Sequence, residues 1–194
     1  MDAGRTCTVF QLSQSFDSFQ ERWNALPRRT HELLPCRQDI TPAHFGELIQ
    51  NVGLAEAVGH LNMHVLYYGS GLERVSGLKV TGRNYYDLLP SEFVKPMSVF
   101  HAYVLGTPCG AFVADVVTTP SGSHYLYESL QYPLADSNGQ VRFLLVYGHA
   151  RKRLDIEDER ALASIGRASI KDMHYLDLGA GAPTARIEDF EFFR

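Results

Sequence analysis

Residues 110–150 hold three runs rich in β-branched and aromatic side chains: Gly110 to Thr118, His124 to Leu134 and Val141 to Ala150. Thr119, Pro120, Ser121 and Gly122 separate the first two runs, and Asp136, Ser137, Asn138 and Gly139 the last two. Both breaks carry turn chemistry. Strands joined this closely pair antiparallel, because parallel neighbours need a crossover of a dozen or more residues. Two successive hairpins are therefore expected. In the last run Val141, Phe143, Leu145 and Tyr147 alternate with Arg142, Leu144, Val146 and Gly148. It is apolar on both faces for most of its length, which marks a central strand.

Upstream, Ser91 to Leu105 places Phe93, Val94, Met97, Phe100, Val104 and Leu105 at spacings of three and four. An amphipathic helix is expected, with Ser91 as N-cap and Gly106 and Pro108 as its end. Pro96 fits best in a first turn, which would start the helix near Val94. Before it, Gly69, Gly71, Gly77 and Gly82 break residues 69–89 into pieces too short for an ordinary helix. Two further strands are expected at Val52 to Gly59 and Leu61 to Tyr68, the second richer in β-formers.

The N-terminal part places Phe16, Phe19, Trp23 and Leu26 on one face of a helix from Ser15 to Leu26, stopped by Pro27. That stripe suits packing on the chain's own domain, and the same stripe would serve a homodimer. Thr41 and Pro42 cap a second short helix, with Arg37 and Asp39 available to pair ahead of it. From Arg151 the chain turns charged, and residues 161–173, ALASIGRASIKDM, read as helical before the GAGAP break. The expected organisation is an N-terminal helical extension (1–34), one domain (35–150) and a C-terminal extension and tail (151–194). The tail ends with Phe190, Phe192 and Phe193, which are expected to dock on this chain or a partner.

Composition excludes several classes. The chain has 194 residues, 45% of them hydrophobic, enough to bury a core. Its net charge of −4 is small and the basic residues are scattered apart from Arg151, Lys152 and Arg153, which disfavours nucleic acid as a partner. No apolar run is long enough to span a membrane. The three cysteines, Cys7, Cys36 and Cys109, form no CxxC pair, which argues against a disulfide framework or a zinc site and fits a cytoplasmic location.

Arg37, Asp39, Ile40 and Pro42 form an R-x-D-I-x-P motif. Gly69 and Ser70 close a strand, and Gly77, the turn Gly82-Arg83-Asn84-Tyr85 and a late DLGAGAP follow. In this order, over about Leu26 to Pro183, they resemble bacterial PAS-like regulatory proteins of the alphaproteobacterial single-domain type. The resemblance implies an α+β fold, a five-stranded antiparallel sheet with helices on one face, and a sensory or regulatory role. Tyr67 and Tyr68 stand where the family often has an arginine before the glycine.

Flavin photosensors of the PAS class carry a cysteine directly after Gly-x-Asn, whereas Tyr85 follows Asn84 here, so cysteinyl-flavin photochemistry is not expected. Asn84 instead suits a turn. His101 lies on the apolar stripe of the long helix, where haem-binding PAS domains present a ligand. A lone apolar-face histidine is more simply satisfied by a neighbouring carbonyl or hydroxyl. His64, His124 and His149 fall in strands without ligand spacing. Cys109 reads as a buried structural thiol.

Nine tyrosines between Tyr67 and Tyr147 combine apolar rings with hydroxyl tips and suit either a mixed pocket or core packing. Met97, His101, Tyr127 and Phe143 are expected to line a small-molecule pocket, facing each other across helix and sheet. The function expected is a sensor that binds a small molecule there and signals through protein contacts; no cofactor can be named. A ligand-free adaptor is the alternative, and a small α+β enzyme using Asp115 or Glu128 with a histidine is a third reading. Catalysis is not expected.

Overall fold

A computed structural model describes residues 16–119, 121–154 and 170–184. Six strands form one antiparallel sheet in the order β2-β1-β5-β4-β3-β6. They are β1 (Val52–Gly59), β2 (Asn62–Tyr68), β3 (Gly110–Thr118), β4 (His124–Ala135), β5 (Val141–Arg153) and β6 (Ile170–Leu176). The two hairpins expected from the turn residues are present, and β5 lies inside the sheet between β1 and β4. At the second hairpin Asp136 Oδ1 accepts from the backbone N–H of Asn138 and Gln140, and Gly139 adopts φ +82°.

Four α-helices cover both faces. On one face lie α1 (Asp17–Ala25) and the short α2 (Pro42–Phe45). Phe19 stacks on Tyr147 with centroids 4.7 Å apart, and Phe16 meets Phe112 edge-on. Both phenylalanines are fully buried, so the apolar stripe of α1 is spent on its own sheet. α2 begins at Pro42, with Thr41 Oγ1 accepting from His44 N. The proposed cap Ser15 lies outside the described residues. Arg37 and Asp39 form no ion pair among the described residues, and Asp39 Oδ2 is buried without a hydrogen bond.

The other face carries α3 (Ser70–Ser76), a 3-10 turn (Tyr85–Leu88) and α4 (Ser91–Gly106). α4 starts at Ser91 rather than near Val94, so Pro96 sits inside the helix, and its N-cap is Pro90. The glycines at the start of α3 answer to close approach. A Cβ at Gly69 would fall 2.2 Å from the carbonyl oxygen of Gln50, and one at Gly71 2.0 Å from Asn51 Oδ1. The segment 69–71 is thereby pressed onto the residues that lead into β1.

The sheet has six strands rather than the five expected. Residues 170–173 are not helical: Ile170–Leu176 pairs with β3. The reason is a bulge. Asp115 pairs with Ile170 and Ala114 with Asp172, leaving Lys171 extra. Ile170 and Met173 therefore bury on the same face at a spacing of three, which in sequence imitates a helix. The sheet draws on residues beyond 150. The remaining part of the helical reading, residues 161–169, and the phenylalanine tail lie outside the described residues. No helix among the described residues is long and apolar enough to cross a membrane.

Candidate functional site

The interface between α4 and the sheet is apolar around Met97, Phe100 and Val104, which pack with Ala111, Val113, Leu144 and Met173. His101 interrupts this surface at 3% exposure. Its Nδ1 lies 3.1 Å from the Tyr86 hydroxyl, so the histidine is satisfied by a neighbouring hydroxyl. Burial lowers the pKa of His101 to about 4, an effect that Gln131 beside it only partly offsets. The ring is neutral at neutral pH. The Tyr86 hydroxyl is pushed up to about 12 by burial.

Asn84 fixes this wall. Its Oδ1 accepts from the N–H of Met63 and of Tyr86, and its Nδ2 donates to Leu61 O and to Asp87 Oδ1. One side chain thus starts the 3-10 turn and ties it to the start of β2. Tyr85 faces Asp115 closely enough that, after burial, the carboxylate is the next cause raising its pKa.

The sheet supplies the floor. Ser129 and Gln131 are each 8% exposed. They alternate along β4 with Leu130 and Tyr132, which belong to the opposite face. The Tyr127 hydroxyl is buried without a hydrogen-bond partner, and Gln131 Oε1 is buried with the His101 ring beside it but makes no bond of full geometry. The ring of Tyr127 lies across Gly148, where a Cβ would fall 2.4 Å from its hydroxyl oxygen. Burial raises the pKa of Tyr127, followed by Tyr68 and Tyr147, so its hydroxyl remains a donor. The resulting constellation is neutral donors and acceptors in an apolar shell, with the Asp115 carboxylate on the same face as Tyr127 and near Tyr85.

Met97, His101 and Tyr127 lie on this side of the sheet, whereas Phe143 does not. Phe143 packs with the α1 cluster, and its neighbour Leu144 faces α4. β5 is apolar at both parities, so alternation could not tell which set faces the helix, and a one-residue choice reverses every side chain. Gln131 and Tyr86 were missed. The readable signal was the polar Ser129 and Gln131 at alternate positions of β4, although the buried Glu128 puts a carboxylate on the strand's other face.

Asp115 and Glu128 do not form an acid–base pair. Asp115 pairs with Tyr127 and Glu128 with Ala114, which puts the two carboxylates on opposite faces. Glu128 is 3% exposed beneath the α1 side. Its Oε1 accepts from Arg151 Nη1 at 2.6 Å, and its Oε2 lies 3.9 Å from His149 Nε2. Burial holds the pKa of His149 below its ordinary range, with Glu128 opposing and Arg151 adding to the shift. Cys109 is fully buried, and burial pushes its thiol up to about 11, the environment of an inert structural cysteine. No group of three His, Cys, Asp or Glu side chains that could hold a metal occurs among the described residues.

A family model for the PAS domain matches residues 12–147. No curated protein matches the chain. Among solved structures the chain is similar to the Vibrio cholerae VqmA dimer, at 20% identity over 66% of this chain and 57% of that one, with a TM-score of 0.42. It is also similar to VqmA bound to DPO, at 20% identity over 51% of this chain and 52% of that one, with a TM-score of 0.39. The light state of the blue-light photoreceptor Aureochrome1 LOV is 17% identical over 59% of this chain and 89% of that one, with a TM-score of 0.40. The chain spans only a little over half the length of the VqmA structures it matches.

Proposed function

From the chain's membership of the PAS domain family, which its match over residues 12–147 establishes, we propose a sensory or regulatory protein that binds a small molecule between α4 and the sheet. Occupancy is passed on through protein contacts. The observation that carries this reading is Gln131. Its amide oxygen is buried with only the His101 ring as a neighbour able to donate to it, which leaves acceptor capacity that a ligand donor would fill. Tyr127 offers a buried hydroxyl without a partner, and Asp115 on the same face disfavours an anion, so the ligand class is a polar, non-anionic molecule with at least one donor and one acceptor. Met97 and His101 complete the proposed lining from the helix side, with Leu144 in the place expected for Phe143.

A ligand shifts such a protein only by binding two arrangements unequally. α1 packs on the far face of the same strands, β4 and β5, whose near face lines the site. The proposed output elements are therefore α1 and the chain after residue 150, of which α1 and β6 are packed on or paired with the sheet of the proposed sensing unit at 35–150. A homodimer through these elements, and a cytoplasmic setting, belong to the same proposal. The scattered charge favours a protein partner over nucleic acid. A ligand-free adaptor is the second reading, favoured by the complete burial of Phe100 and Val104 under α4.

The test is a thermal-shift screen of polar, non-anionic metabolites on the wild type and on Gln131→Leu. Compounds that raise the Tm of the wild type and leave the variant unmoved support the sensor. A screen that moves neither protein supports the adaptor.

A further inference from the structure

A cavity lies on the side of the sheet opposite α4, between α1 and the end of β6, with a volume of about 430 Å³. Trp23 and Tyr132 line it, their rings 4.8 Å apart and each 3% exposed. Gln20 and Asn24, one helical turn apart on α1, give it an amide wall, and Gln20 Nε2 donates to the Tyr132 hydroxyl at 3.4 Å. Asp177 closes the far side and is the only formally charged side chain in the lining. Its Oδ1 accepts from the N–H of Gly179 and of Gly181, which folds the DLGAG turn and holds the carboxylate at the cavity edge.

Aromatic rings attract cations and flat apolar groups, and a lone carboxylate selects positive charge. The volume falls in the range of small-molecule sites. We propose that this cavity is a binding site for a small aromatic amine, its ring between the α1 amides and Leu176 and Leu178, touching only the small exposed parts of Trp23 and Tyr132, and its ammonium group on Asp177. The site is separate from the one under α4, since the sheet lies between them. It joins α1 to the end of β6, so its occupant ties the N-terminal helix to the outer strand.

Trp23 is the chain's single tryptophan, so its fluorescence reports on this site directly. Phenethylamine, 2-phenylethanol and phenylacetate share a ring and differ in charge. The expected result is a saturable fluorescence change with phenethylamine, at a Kd about fivefold or more below those of the other two, the weight of one ion pair of about 1 kcal/mol. Asp177→Asn keeps the oxygen that the turn uses and abolishes the preference. Gln20→Lys, which adds a cation to the wall and leaves the turn intact, weakens phenethylamine binding. Val99→Ala, on the exposed side of α4 and in neither site, leaves it unchanged. Absence of a saturable change, equal affinity for the three probes, or loss of binding in Val99→Ala would overturn the proposal.

Discussion

The Tyr86 hydroxyl stands 3.1 Å from Nδ1 of His101, joining the 3-10 turn at Tyr85–Leu88 to the middle of α4. The contact holds a neutral imidazole between two elements that would otherwise meet only through apolar side chains. It also fixes the wall of the proposed site against α4.

This pair sets a pH dependence. His101 titrates near 6.5 when unfolded and at about 4 when folded, so the unfolded chain binds more protons between those values. Stability therefore rises with pH through that window and is lost as pH falls from about 7 towards 4, by up to about 3 kcal/mol. The half-buried His149, also lowered, contributes in the same direction. Urea unfolding at a series of pH values is expected to show a shallower slope for His101→Asn than for the wild type. Equal slopes would remove His101 from this role.

α1 is expected to behave as part of the core rather than as an appendage. Phe19 is fully buried and stacks on Tyr147. Phe19→Ala should cost about 3–5 kcal/mol in chemical unfolding, the range for a large aromatic removed from a packed interior. A cost below about 1 kcal/mol would mean that α1 leaves the sheet readily.

The Glu128 carboxylate is buried at 3% exposure while its partner Arg151 is more than half exposed. Removing the arginine leaves a buried charge without its hydrogen bond, so Arg151→Ala should destabilise by about 2 kcal/mol, less than a fully buried pair because water reaches the arginine. Glu128→Gln should cost less, and adding it to Arg151→Ala should recover stability. Additive losses in a double-mutant cycle would contradict this pairing.

Much of the fold was legible because local chemistry and tertiary packing agreed. The turns at 119–122 and 136–139, the cap at Thr41 and the stripe on α4 each satisfy a local rule that the packed structure also uses. Legibility failed where a long-range pairing altered a period. The bulge at Lys171 turned a strand into a sequence with helical spacing, and the two apolar faces of β5 hid which parity met α4, misplacing Phe143. Asn84 was readable as a turn residue, but its bond to Met63 joins segments that only the fold brings together. Gln131 escaped because a buried amide looks like any polar residue until the strand's faces are known.

The central claim is that Gln131 receives a ligand. Wild-type protein and Gln131→Leu, purified side by side from the native host, would be denatured and their released small molecules identified by mass spectrometry, with urea unfolding measured on both. The account predicts a compound at near-stoichiometric level in the wild type, absent from a variant that is as stable as the wild type or more so once ligand is removed. Equal amounts released by both proteins, or no retained compound together with a Gln131→Leu variant less stable than the wild type, would contradict it.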